Sequence, residues 1–213
     1  MKSLVEDRYS KLGPIVVKAL QQRFFDAYYF DELKDAVEKV FSLIPKEDLV
    51  SWGGSLTVRG LGIQERLEKE GYKLLDREKA ASKEEAIEIM RRALLSDTYL
   101  CGTNAITEDG RLVNIDGNGN RVAAMIFGPK QIIIVTGMNK VVKTYKDALA
   151  RARNIAAPLN IRRFPEKKTP CMETGTCSDC FSPDTICSYF VTTRICKPAS
   201  RIKVILVGKD LGL

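Results

Sequence analysis

Apolar runs alternate with clusters of Gly, Asn and Asp across residues 99–140, YLCGTNAITEDGRLVNIDGNGNRVAAMIFGPKQIIIVTGMNK, and the rest of the chain is patterned around that stretch. Asp109-Gly110 and Asn118-Gly119 are strong turn signals, each between segments that read as strands. The pattern predicts an antiparallel β-meander: a strand ending near 107, then strands over 111–116, 121–127 and 131–136.

Upstream, a helix is expected over 3–22, with a kink at Gly13-Pro14 because proline lacks an amide proton and disfavours helical geometry in the residue before it. The aromatic run 24–30 fits a strand or a tight connection. Asp31 is the expected cap of a second helix, with Leu33, Ala36, Val37, Val40, Phe41 and Ile44 at helical spacing until Pro45. A short strand over 48–52 runs into SWGGSLT (51–57), and a helix follows through Leu61 and Leu67. After a strand over 72–75, Ser82-Lys83-Glu84-Glu85 has the form of a capping box. Ala86, Ile87, Ile89, Met90, Ala93 and Leu94 make the apolar face of the helix it opens. This alternation of strands and helices predicts a parallel α/β sheet.

Beyond the meander, Tyr145, Ala148, Leu149, Ala152 and Ala156 place a helix ending near Pro158. Residues 160–200 have weak periodicity, four prolines and five cysteines, and predict a loop-rich excursion. The apolar run in 201–208 predicts a final sheet strand. The organisation expected is one α/β domain over 1–213, with a helical N-terminal segment 1–30 and a cysteine-rich excursion 160–200.

Composition narrows the picture. A chain of 213 residues, 45% hydrophobic, can bury a proper core. Lys and Arg exceed Asp and Glu by 34 to 27, and much of the excess lies between Lys140 and Lys168, where Asp147 and Glu166 are the only acids. No nucleic-acid motif accompanies these charges, so a solvated helix face and basic loop are favoured over a nucleic-acid footprint. A phosphorylated or carboxylate ligand is the intermediate reading. Residues 1–9 are charged and lack an apolar signal core, and the longest aliphatic run, 132–135, is too short for a bilayer. A cytoplasmic location is therefore expected, and no membrane partner. The chain has no histidine, which excludes His-based nucleophilic dyads, His general bases and His-ligated metals.

Two features carry candidate chemistry. Gly53-Gly54 between a strand and a helix, followed by Ser55 and Thr57, outlines an anion site; the alternative is a tight turn with a hydroxyl capping the helix. Cys171, Cys177, Cys180, Cys187 and Cys196 fall within 26 residues, with Cys177 and Cys180 forming a CxxC pair. In a reducing compartment such a cluster points to metal over disulfides. Cys171, Cys177, Cys180 and Cys187 are the expected ligands of an iron–sulfur cluster or of zinc, with Cys196 as a substitute for one of them. Cys101 reads as small buried packing at a strand end.

Several stretches together resemble the LUD family of lactate-utilisation-type domains: SWGGSLT (51–57), CGTNAITEDGRLVNIDGNGNRVAAMIFGPK (101–130), TGMNKVV (136–142), RARNIAAPLN (151–160), the TPC, GTCSDC and ICS segments, and the closing KVILVGKDLG. The resemblance covers almost the whole chain and implies a small stand-alone member. It implies the fold shared by glucosamine-6-phosphate deaminase, ribose-5-phosphate isomerase and CoA transferases (NagB/RpiA/CoA-transferase-like). That fold is a mainly parallel open sheet flanked by helices with an antiparallel excursion. It also implies a role as an enzyme or accessory subunit in oxidising L-lactate or a related small organic acid. The alternative is a non-catalytic ligand-binding or regulatory module for a small carboxylate or phosphorylated metabolite, with a structural metal. Expected partners are that metabolite, iron–sulfur oxidoreductase subunits and a second copy of the chain.

On that fold the ligand loops lie at strand C-termini, which groups Gly53, Gly54, Ser55 and Thr57 with Gly102, Thr103 and Asn104. Asp116, Asn118, Asn120 and Arg121 form the polar tip of the meander, and Asn139 and Lys140 follow the next strand. Arg121 is the expected bidentate partner of a carboxylate or phosphate, and Asp116 the expected base. The structural alternative is that Asp116 and Asn118 satisfy a tight turn and Arg121 lies on the surface.

Overall fold

Ile132, Ile133, Ile134 and Val135 are all fully buried, yet they belong to two different cores. Successive strand residues point to opposite faces, so a strand buried throughout must be covered on both sides. The computed structural model describes residues 3–213. Its strands are β1 (Asp26–Phe30), β2 (Leu49–Trp52), β3 (Lys73–Leu75), β4 (Thr98–Cys101), β5 (Ala105–Thr107), β6 (Leu112–Asp116), β7 (Gln131–Gly137), β8 (Val141–Val142), β9 (Tyr189–Thr193) and β10 (Ile202–Val207). The α-helices are α1 (Leu4–Gln22), α2 (Leu33–Ser42), α3 (Leu56–Gly60), α4 (Ile63–Lys69), α5 (Lys83–Arg92), α6 (Asn120–Ile126), α7 (Tyr145–Arg151), α8 (Ala157–Ile161) and α9 (Pro170–Thr174).

A six-stranded sheet runs in the order β1-β10-β7-β4-β2-β3, parallel throughout. On one face Ile132 and Ile134 pack with Val16 and Leu20 of α1 and with Ala124 and Met125 of α6. On the other, Ile133 and Val135 pack with Ala36 and Val40 of α2 and with Ile63 and Leu67 of α4. A second sheet, β8-β5-β6-β9, lies past the C-terminal ends of the first. Ala105, Val113 and Ile115 pack it against Ala148 and Ala152. Among the described residues no helix is long and apolar enough to cross a membrane.

The long first helix is one element, with Pro14 inside it and a capping box between Ser3 and Glu6. Gly13 lets the Tyr29 ring lie on it, since a Cβ there would come within 2.2 Å of that ring. The meander expected from the turn signals is only half present. Asp109-Gly110 does turn a hairpin between β5 and β6, with Gly110 at φ 86° and its amide donating to Thr107 O at 2.8 Å. Asn118-Gly119 does not. Gly119 adopts φ 80°, the Asp116 carboxylate accepts its amide proton at 2.9 Å, and the chain enters α6 in place of a third strand over 121–127. RVAAMI lacks strict alternation, and its buried residues are Val122, Ala124 and Met125. Arg201 closes this helix by donating to Ala124 O and Met125 O at 2.6 and 2.8 Å. The position beside β6 is taken by β9, which arrives from the cysteine excursion. Residues 131–136 join the parallel sheet.

Other expectations shift locally. Asp31 accepts from the Tyr29 hydroxyl, and the N-cap of α2 is Glu32, which makes no side-chain cap bond. The helix after SWGGSLT breaks at Leu61-Gly62, where Gly62 is left-handed. Ser82 caps α5, but the helix contains no buried residue, and Glu85, Glu88, Ile89 and Arg92 face a groove shared with Leu74 and Leu75 of the edge strand β3. The last long helix does not end near Pro158. A π-turn over Ala152–Ala156 links α7 to α8, which places Pro158 in the first turn of α8.

Candidate functional site

Parallel strands deliver their C-terminal loops to one edge, and here β2, β3, β4 and β7 open onto a cleft of about 390 Å³. Gly53 continues the sheet by donating to Leu100 O at 2.9 Å. Ser55 then caps α3, accepting from Val58 N–H at 3.3 Å. The glycines allow close approach, at Gly54 to the flexible end of an arginine and at Gly102 to the capping serine. A Cβ on Gly54 would lie 2.8 Å from Arg77 Nη2, and one on Gly102 would lie 3.0 Å from Ser55 Oγ.

The cleft brings together Gly54, Ser55 and Thr57 after β2, Gly102, Thr103 and Asn104 after β4, and Lys140 after β7. Asp116, Asn118, Asn120 and Arg121 close it from the second sheet and α6. Gly53 and Asn139 do not line it. Gly53 faces Tyr99 and Arg121, while Asn139 accepts from Leu211 N–H at 3.1 Å and ties down the last residues.

Arg121 is present but committed. Its terminal nitrogens donate to Gly102 O at 3.1 Å, Asn104 Oδ1 at 3.1 Å, Ile115 O at 2.8 Å and Asn114 Oδ1. Those bonds use every terminal N–H of a guanidinium. Its Nε lies 3.4 Å from Asp116, whose other oxygen caps the Gly119 turn. The bidentate fork expected for a ligand and the carboxylate expected as a base therefore hold the hairpin, the β4 loop and α6 to one another.

The groups left open are different ones. Lys140 is 5% exposed and has no carboxylate within ion-pair distance among the described residues. Burial, with Arg151 and Arg121 nearby, pushes its ammonium pKa down to about 8. Thr57 is 3% exposed and its hydroxyl has no hydrogen-bond partner. Arg77, Arg163 and Lys167 also line the cleft and form no ion pair with a carboxylate among the described residues. Arg163 donates to Gly54 O at 2.7 Å and to Asn160 Oδ1 at 3.1 Å. Burial first, then Arg59 and Arg77, lowers its pKa. The cleft thus sets a buried lysine and several basic side chains around an unpaired hydroxyl.

Arg77, Arg163 and Lys167 are the site residues that sequence reasoning passed over. Arg163 and Lys167 belong to the basic stretch read as a solvated face. Arg77 follows β3, and its position at a strand C-terminus is the signal that could have found it.

A second cavity, of about 400 Å³, is lined by Cys171, Cys177, Cys180 and Cys187, all with free thiols. Burial and the other three cysteines raise the Cys187 pKa to about 11. Arg153, in the π-turn, donates to Cys177 Sγ at 3.8 Å and pairs with Asp179 at 2.7 Å. Cys196 is elsewhere: its Sγ accepts from Ile202 N–H at 3.3 Å and lies 3.2 Å from Pro198 O. Cys101 is fully buried in β4, which pushes its thiol up to about 12. Thr185 and Ile186 line both cavities, and a Cβ on Gly117 would lie 3.1 Å from Ile186 Cα. The cysteine loop is therefore part of the wall of the charged cleft.

The LUD domain family model matches residues 14–207. A solved DUF162 family protein from Deinococcus radiodurans aligns over 93% of this chain and 98% of its own, at 13% identity and a TM-score of 0.51, which is a likeness of fold. Ribose 5-phosphate isomerase A from Neisseria gonorrhoeae aligns at 20% identity and a TM-score of 0.36, over 54% of this chain and 55% of its own. A 5-methylthioribose 1-phosphate isomerase from Pyrococcus horikoshii aligns at 15% identity and a TM-score of 0.36, over 75% of this chain and 50% of its own. No curated protein matches this chain significantly.

Proposed function

This chain belongs to the LUD domain family, and from that premise we propose that its cleft binds a small organic acid of the lactate type or a phosphorylated metabolite. We assign it the role of an enzyme or accessory subunit in oxidising L-lactate or a related acid. The observation that carries this reading is Lys140, buried, lacking a carboxylate partner and sharing the cleft with the unpaired Thr57 hydroxyl. A buried charge without a partner is costly, and an anion in the cleft removes that cost. Arg77 and Arg163 add positive charge at the Gly54 end, where an acid or phosphate group would sit.

Lys140 also suits proton transfer. With a pKa near 8 it holds both ammonium and amine forms close to neutral pH, so it can bind the anion in one form and accept a proton in the other. Arg121 and Asp116 support that site from behind by fixing the β4 loop. Thermal-shift titration of the whole chain with lactate, pyruvate, inorganic phosphate and ribose 5-phosphate tests the reading. At least one of these acids is expected to stabilise the wild type, and Lys140→Met to weaken that binding tenfold or more, on the order of 1.4 kcal/mol or above. Stabilisation that is indifferent to Lys140→Met overturns the assignment.

A further inference from the structure

The cysteine loop supports an inference that does not depend on what the cleft binds. Cys171, Cys177, Cys180 and Cys187 come from α9, the CxxC turn and the run into β9, and they meet around one cavity. None of them is in a disulfide. Cys187 is anchored by packing against the Ala105, Val113 and Ile115 core of the second sheet. The loop is tied at its base, where the Asp184 carboxylate accepts Lys168 N–H at 2.9 Å and Ser182 Oγ donates to Lys168 O at 2.9 Å. These bonds hold the thiols around the cavity without any bond between them.

The arrangement separates two kinds of thiolate-bound metal. Four thiolates on one zinc, each at about 2.3 Å, bring their sulfurs within roughly 3.8 Å of one another. Among the described residues no three His, Cys, Asp or Glu side chains form a group of that kind. A polynuclear cluster has a different requirement, because each cysteine binds its own iron and the sulfurs stand apart around a core of iron and sulfide. Four free thiols lining one cavity of about 400 Å³ supply the number and type of ligands such a cluster takes. The surroundings agree: Ala157, Pro158, Ile161 and Phe190 line the same cavity, and Arg153 donates to Cys177 Sγ. Hydrogen bonds to the sulfurs and a partly apolar shell are what tune such a cluster.

We propose that Cys171, Cys177, Cys180 and Cys187 hold an iron–sulfur cluster, in a cavity that shares the Thr185-Ile186 wall with the charged cleft. The test uses the full chain, purified without oxygen or reconstituted with ferrous iron and sulfide under reducing conditions. Iron and acid-labile sulfide are expected in equal amounts, roughly two to four of each per chain, with broad visible absorption. Cys180→Ser and Cys177→Ser are expected to lose the absorption and most of the iron. Cys196→Ser should keep both, because Cys196 Sγ is held by Ile202 and Pro198 away from the cavity. The wild-type stoichiometry decides the matter even where a variant folds poorly. One zinc per chain without sulfide, no bound metal after reconstitution, or full iron and sulfide retained in both loop variants would each overturn the proposal. None of these readouts depends on acid binding, so its failure and that of the cleft assignment are distinguishable.

Discussion

Thr57 and Lys140 stand just past the ends of β2 and β7, strands whose backbones are bonded to neighbours on both sides. Cys177 and Cys180 stand on a loop between α9 and β9, where Ser178, Asp179 and Phe181 are exposed and the fixed points are turn and capping bonds. The two cavities have nearly the same volume, about 390 and 400 Å³, and share a wall, yet they are built by opposite means. In the cleft the scaffold is rigid and leaves a charge and a hydroxyl unsatisfied. In the cysteine loop the scaffold is light, and a bound group would itself supply much of the order. A ligand should therefore change the first site chiefly in charge and the second chiefly in structure.

The largest expected effect tests how rigid the cleft is. Arg121→Ala removes the donor shared by Gly102 O, Asn104, Asn114 and Ile115 O, leaving buried acceptors unpaired. A loss of about 3–5 kcal/mol is expected in urea unfolding. Unchanged stability would mean that Arg121 is free for a ligand after all, and the contrast would collapse.

Lys140→Met should act with two signs, weakening anion binding while stabilising the empty protein. The native pKa of about 8 lies below the ordinary value of 10.5, so the unfolded chain holds the proton over that interval and wild-type stability rises with pH between them. The gain from Lys140→Met should therefore be full below pH 8, on the order of 2 kcal/mol, and fade towards pH 10.5. Denaturation at pH 7 and pH 10 gives the comparison; equal gains at both would show that Lys140 is not desolvated. The same group sets the ligand's pH profile. Affinity for the acid should hold below pH 8 and fall above it as the free ammonium is lost, read by titration calorimetry across that range.

Thr57→Val keeps the shape and removes the unpaired hydroxyl. Stability of the empty protein should rise by up to about 1 kcal/mol while acid binding weakens severalfold. A fall in both would place the hydroxyl in the fold and not in the site. The smallest effect is expected in the loop. Cys180→Ser in metal-free protein should shift urea unfolding by less than about 0.5 kcal/mol. A larger loss would mean that the loop is as tightly built as the sheet.

The apolar pattern by itself determined where the central strands run: 131–136 and 202–207 are buried on both faces, but the turn signals assigned 131–136 to the antiparallel meander, and only its neighbours β4 and β10 place it in the parallel sheet. It also located the glycine turns at strand ends, because backbone that must pass close to another group needs Gly wherever the chain goes next. Tertiary structure decided what those turns do. The same Asn-Gly signal that suits a hairpin opens α6 once Asp116 caps it, and β9 can take the vacant place only because the excursion returns across β6. Charge shows the same division. Arg121 and Lys140 are both cations in glycine-rich stretches, and nothing local distinguishes them. Neighbours distant in sequence do: Gly102, Asn104 and Asn114 occupy the guanidinium, while Arg151 and the desolvating core leave the lysine buried without a counter-charge. Hydrogen-bond partners are set by three-dimensional packing, so a sequence can say which residues reach an edge, but only the fold says which of them remains free.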